Sequence, residues 1–78
     1  MKNLWEVSFD AKYTHCKELL PEDLAVVANG DGMSAVRKAK KELIGRSFSK
    51  KLENGKTFEC ICVAVKLTGL ELLHKIDA

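Results

Sequence analysis

Eight of the thirteen Lys and Arg residues in this 78-residue chain fall between residues 37 and 56, against only two carboxylates in that stretch. Cations at that density can track phosphate oxygens, where each neutralised phosphate releases counterions and makes binding salt-dependent. They can also meet the carboxylates of an acidic protein surface. The candidate contact residues are Arg37, Lys38, Lys41, Arg46, Lys50 and Lys51. Lys40 lies nearer the apolar side of the same segment, where its stem can run along apolar surface with the ammonium in water. The competing reading is a solvated helix face made of good helix formers. Nothing in the aromatic spacing matches the pairs that stack single-stranded bases, and no helix-turn-helix spacing is present. Protein contact is therefore the first expectation, and nucleic-acid binding through residues 37–51 the alternative.

Other chemistry-bearing residues point to structure. His15, Cys16, Cys60, Cys62 and His74 include the usual zinc-ligand types, but zinc sites favour Cys-x₂₋₄-Cys knuckles on turns. Cys60 and Cys62 sit inside an apolar run with strand spacing, roughly 6.5–7 Å apart on one face, and read as small core residues. Cys16 beside His15 suggests a nucleophile, yet no third orienting group is evident. The Asn29-Gly30-Asp31-Gly32 turn is not a phosphate-binding glycine loop, and Asp31 would repel an anion. It reads as a helix cap. Glu18, Glu22 and Asp23 read as an exposed, solubilising loop. No catalytic residue, metal site or cofactor is expected.

The elements that must position these residues follow from periodicity. Trp5, Val7, Phe9 and Ala11 alternate with Glu6, Ser8 and Asp10, which predicts a half-buried strand over residues 5–11. Residues 12–22 hold the single proline and read as a loop, with room for a helical turn over residues 15–20. Residues 23–28 read as a second strand, paired antiparallel with the first. Asp31 is the natural N-cap, and Met33, Val36, Ala39 or Lys40, Leu43 and Ile44 recur at helical spacing. Gly45 follows where a helix exits left-handed, so the helix is expected over residues 32–44. Residues 46–52 are ambiguous. Asn54-Gly55 favours a two-residue type I′ hairpin turn. Beyond it, Ile61, Val63, Val65 and Leu67 alternate with Phe58, Cys60, Cys62 and Ala64, a strand apolar on both faces and so expected to be central. Gly69 breaks that pattern, and residues 70–76 read as a short last strand or a helical turn. Trp5, Phe9 and Phe58 are expected in the core.

The expected fold is α+β: residues 1–78 as one small domain, in the order β-β-α-β-β, with one helix packed on one face of an antiparallel sheet of three to four strands. A chain of this length builds one modest core. The longest apolar run is far short of a membrane span, and Glu6 and Asp10 interrupt any signal-peptide core. A cytoplasmic location without membrane contact is expected. Three cysteines argue against a disulfide framework. The net charge of +2 conceals a basic middle between acidic flanks, −3 over residues 1–36 and −1 over residues 57–78. Exposed sheet edges invite pairing, so a homodimer is also expected.

The pattern resembles small proteins encoded by phages and mobile elements. In these a strand of the LWEVSFDA kind precedes DLAVVANGDG, then a helix of the MSAVRKAKKEL kind and a closing strand such as FECICVAVKL. Some are accessory or anti-defence proteins, including CRISPR inhibitors, that bind host machinery. The resemblance implies a small, non-enzymatic, protein-binding module of accessory or inhibitory type. It has no diagnostic motif, so no functional residue is carried over.

Overall fold

In a computed structural model of the chain, which describes residues 2–76, the alternation of residues 5–11 extends into a 12-residue strand, β1 (Lys2–Tyr13). β2 (Leu20–Asn29) returns antiparallel to it, with Lys2 opposite Asn29 and Ala11 opposite Leu20. The loop expected over residues 12–22 thus contracts to residues 14–19, which form turns and bends rather than a helical turn. Pro21 lies within β2, which a proline tolerates because β2 is an edge strand. Glu22 lies there too, on the same face as its partner Phe9. It is half-buried and accepts a hydrogen bond from the Tyr13 hydroxyl at 2.9 Å, so it is not part of a solvated acidic loop.

The helix, α1 (Gly32–Leu43), buries Gly32, Ala35, Ala39 and Leu43. Of the expected stripe, Ala39 and Leu43 are thus buried, whereas Met33, Val36 and Ile44 are not. Met33 is 54% exposed and Val36 packs only at the margin. Small residues win because they let the helix backbone approach the sheet closely. A Cβ at Gly32 would run into the Leu70 side chain and lie 3.3 Å from Trp5 Cζ3. Asp31 occupies the N-cap with extended backbone, but its carboxylate makes no capping bond. Gly45 exits left-handed at φ 92°. Its N–H donates to Cys62 O, and Cys62 N–H donates to Arg46 O, so the helix exit is stitched directly into the sheet.

The ambiguous residues 46–52 supply β3 (Ser47–Lys51). The turn after β3 is not a two-residue type I′ turn. Leu52 and Lys56 close a three-residue loop, and Gly55 N–H donates to Leu52 O. Only Gly55 is left-handed, at φ 85°, the arrangement of a type I turn followed by a glycine bulge. Asn54 instead uses its side-chain oxygen to accept from Lys56 N–H.

β4 (Thr57–Lys75) is one 19-residue strand that absorbs Gly69 and most of the expected separate last element. It pairs with β3 through residues 57–61 and with β1 through residues 62–75, giving the sheet order β2-β1-β4-β3. Three bulges, at Val63, Thr68 and Leu73, interrupt its register with β1. Each shifts the phase of alternation by one residue. The helix-side face of β4 therefore runs Phe58, Cys60, Cys62, then Val65, Leu67, then Leu70, Leu72, opposite Tyr13, Ala11, Phe9, Val7 and Trp5 in turn from Cys62 onward. The expected grouping of Val65 and Leu67 with Ile61 is overturned by the bulge at Val63.

The core holds Val7, Phe9, Ala11 and Tyr13 from β1, Leu24, Val26 and Ala28 from β2, the helix residues, and Cys60 and Cys62. Trp5 and Phe58 pack against it half-buried, whereas Phe9 is fully inside. The molecule is a rod of 54 × 19 × 16 Å. Its radius of gyration, 15.1 Å, exceeds the roughly 11–12 Å of a compact chain of this length.

Two outcomes follow from the core and the helix exit. Burial and the hydrogen bond to Glu22 push the Tyr13 phenol up to about 12 from 10.0. A raised folded-state value means that the folded protein keeps a proton the unfolded chain releases. This stability is full below pH ~10 and is lost as pH rises toward ~12. Burial raises the Cys60 and Cys62 thiols in the same sense, beginning from 9.0. Denaturant melts of Tyr13→Phe are expected to show a loss of about 1–2 kcal/mol at neutral pH and a shallower decline from pH 10 to 12. An unchanged alkaline limb would show that the phenol is not held. Nothing lies within 4 Å of a Cβ built at Gly45, so Gly45→Ala tests the backbone alone. It should cost about 1 kcal/mol, read as a fall of several degrees in thermal midpoint.

Candidate functional site

The six basic residues do not form one patch. Arg37, Lys38 and Lys41 project from the exposed side of α1 and line a shallow hollow with Ala28, Asn29 and Ser34. Lys2 joins Lys38 around an adjoining hollow at the end of β2. Lys50 and Lys51 lie on β3, paired with Phe58 and Thr57, and Lys50 lines a separate hollow with His15, Cys16, Lys17, Glu18 and Leu20. Arg46 sits between the groups, its backbone carbonyl committed to Cys62 and its side chain exposed. The split comes from the turn at Gly45, which sends the chain from the helix into β3.

Within the helix group the lysines are not equivalent. Lys38 Nζ donates to Val27 O at 2.7 Å. Its ammonium occupies an acceptor on the outer strand β2, leaving fewer donors for a phosphate or carboxylate from outside. Arg37, Lys40 and Lys41 instead frame a trough with Ile44, whose walls are almost wholly apolar. These walls are the methylene stems of the three cations and the Ile44 side chain. Long basic side chains behave in this way, laying their stems along hydrocarbon while the charge stays in water. The two lysines in the last helical turn also face the negative end of the helix dipole. Lys40 and Ile44 were not among the six sequence candidates. Their signal was the i, i+4 spacing of an apolar residue behind a lysine.

The cysteines take up different surroundings. Cys60 and Cys62 are buried and Cys16 is half-buried in the loop after β1. Cys16 Sγ lies 3.9 Å from Cys60 Sγ, and the neighbouring His15 ring meets Phe58 edge-on at 4.9 Å. Desolvation raises the Cys60 thiol, and its contact with Cys16 adds to that; both disfavour the thiolate a nucleophile requires. Burial likewise raises Cys62, against a contact with Ala64 O. Among the described residues no three His, Cys, Asp or Glu side chains gather as a metal site. Nor, among the described residues, is any helix long and apolar enough to cross a membrane.

No family model matches the chain, and no curated protein or solved structure matches it.

The thiol environments give an order of reactivity. In the folded protein, iodoacetamide is expected to modify Cys16 first, with Cys60 and Cys62 reacting only after denaturation. Peptide mapping by mass spectrometry reads the order, and early modification of Cys60 would show that the loop over it opens.

Proposed function

We propose that this chain is a small protein-binding module, of the accessory or inhibitory kind that its sequence pattern resembles, and that it grips its partner through the exposed face of α1. The observation that carries this reading is the trough between Arg37, Lys40, Lys41 and Ile44. A hydrophobic floor with a cationic rim complements a protein segment that presents an apolar side chain flanked by carboxylates. Interfaces are built in this way, with an apolar centre and a polar rim. A nucleic-acid backbone offers phosphates but no apolar group to fill such a floor.

The aromatic residues support the same choice. Phe9 and Tyr13 are buried, Trp5 and Phe58 pack against the core, and Phe48 stacks on Tyr13 with ring centroids 5.0 Å apart. None of these forms an open platform of the kind on which unpaired bases stack. The employment of Lys38 by Val27 O further reduces the cations available to track a backbone. Nothing in this proposal requires a reaction.

An acidic peptide carrying Leu or Phe between Asp and Glu residues is the probe, titrated by NMR in parallel with single- and double-stranded oligonucleotides. The expected result is peptide-induced shifts at Arg37, Lys40, Lys41 and Ile44, and a loss of roughly tenfold or more in affinity in the variant Arg37→Glu/Lys41→Glu. Nucleic-acid binding through Arg37, Lys38 and Lys41 would instead fall roughly 40-fold between 50 and 200 mM salt for three phosphate contacts. That result, or peptide binding indifferent to the double variant, would overturn the proposal.

A further inference from the structure

β3 covers the outer edge of β4 only over residues 57–61. From Val63 to Lys75 that edge has no strand beside it among the described residues, in the sheet order β2-β1-β4-β3. The edge is apolar on its helix side: Leu67, Leu70 and Leu72 are 44%, 40% and 40% exposed. An uncovered, apolar edge of this length is a template for another strand.

The sequence along the edge identifies that strand. Residues 65–72 read Val-Lys-Leu-Thr-Gly-Leu-Glu-Leu. About the Thr68–Gly69 bond they form a chemical palindrome: apolar, Lys, apolar on one side, and apolar, Glu, apolar on the other. When a second copy is laid antiparallel across this centre, Leu67 meets the other copy's Leu70, Val65 meets its Leu72, and Lys66 meets its Glu71. Each pair occurs twice. The bulge at Thr68 makes the register work, because it puts Val65, Leu67, Leu70 and Leu72 on one face and Lys66 with Glu71 on the other. Without it, this register would set apolar residues on opposite faces of paired strands.

Two further observations favour a second copy. Within one chain Glu71 lies directly opposite Glu6 on β1, a like-charge pair that costs stability and that a lysine on the other side of Glu71 would relieve. The chain also exposes 5582 Å², against roughly 4700 Å² for a compact protein of 8.7 kDa. The excess is of the order that each partner buries in a standard interface.

We propose that the chain forms a two-fold dimer by antiparallel pairing of β4 with β4 of a second copy, centred on Thr68–Gly69, to give one continuous eight-stranded sheet. Residues paired across the axis point to the same face, so both helices lie on one side of that sheet. The proposal does not depend on what the helix face binds.

A charge swap tests it. Sedimentation velocity over a dilution series should show wild-type dimer of about twice the monomer mass, the C₂ state that is commonest among oligomers. Glu71→Lys would place two lysines together at both symmetric contacts. It should weaken the dimer roughly tenfold or more, even though it removes the repulsion with Glu6 and leaves the monomer at least as resistant to denaturant. Lys66→Glu should weaken the dimer likewise, and Lys66→Glu/Glu71→Lys should restore it. A monomeric wild type would overturn the proposal. So would a dimer indifferent to Glu71→Lys, or a double variant no tighter than either single one.

Discussion

The fold depends on a mismatch in length. Twelve helical residues extend about 18 Å, while β4, at 19 residues, runs along most of the 54 Å length of the molecule. The helix can roof only part of the sheet. Under it lie the buried residues of β1 and β2, held at close range by Gly32, Ala35 and Ala39. Toward the β3 end the cover is improvised from other pieces: Cys16 in the loop, Phe48 stacked on Tyr13, and His15 on Phe58. Along the rest of β4 the leucines remain half in water. The rod shape and the exposed apolar edge both descend from that shortfall.

Much of this was legible in the sequence, and the failures have physical causes. The fold class, the helix limits and the left-handed exit at Gly45 follow from periodicity and from what only glycine does cheaply. The faces of β4 do not, because counting by two assumes an unbroken ladder. Val63, Thr68 and Leu73 are ordinary strand residues, and only Gly69, beside Thr68, leaves a local mark of a bulge. The first turn of the helix stripe departs from its spacing for a related reason. Met33 and Ala35 both satisfy helical spacing, and the choice between them lies in how closely the sheet needs the helix backbone. The turn at Asn54-Gly55 has the right glycine and the wrong loop length, since its geometry is fixed by how Leu52 meets Lys56.

The site was legible as residue types and illegible as an arrangement. That Arg37, Lys38 and Lys41 share the exposed helix side follows from their spacing. That Lys38 turns back to Val27, and that Lys50 and Lys51 belong to another hollow, depends on the register of β2 and β3. The approach of Cys16 to Cys60, 44 positions away in the chain, is of the same kind. Such contacts are set by topology, which local pattern constrains only weakly.

The two outer edges of the sheet are treated differently, and this links the shape of the molecule to its use. On β2, Pro21 removes a donor, Asp23 adds a charge, and the Lys38 ammonium sits on Val27 O; each discourages an added strand. Over residues 65–72 of β4, the charges are instead one Lys and one Glu placed symmetrically about Thr68–Gly69, each between apolar residues. A lone edge lysine repels a copy of itself, whereas a lysine and a glutamate equidistant from a centre attract one. In the two-fold arrangement proposed for that edge, the troughs of Arg37, Lys40, Lys41 and Ile44 from both copies face the same side. They share no residue with the paired edge, so pairing and partner binding do not compete. A partner with two acidic segments would then engage both troughs, its second contact made at the effective concentration set by the first. A helix too short to cover its sheet thus leaves an edge free to double the surface that the same helix presents.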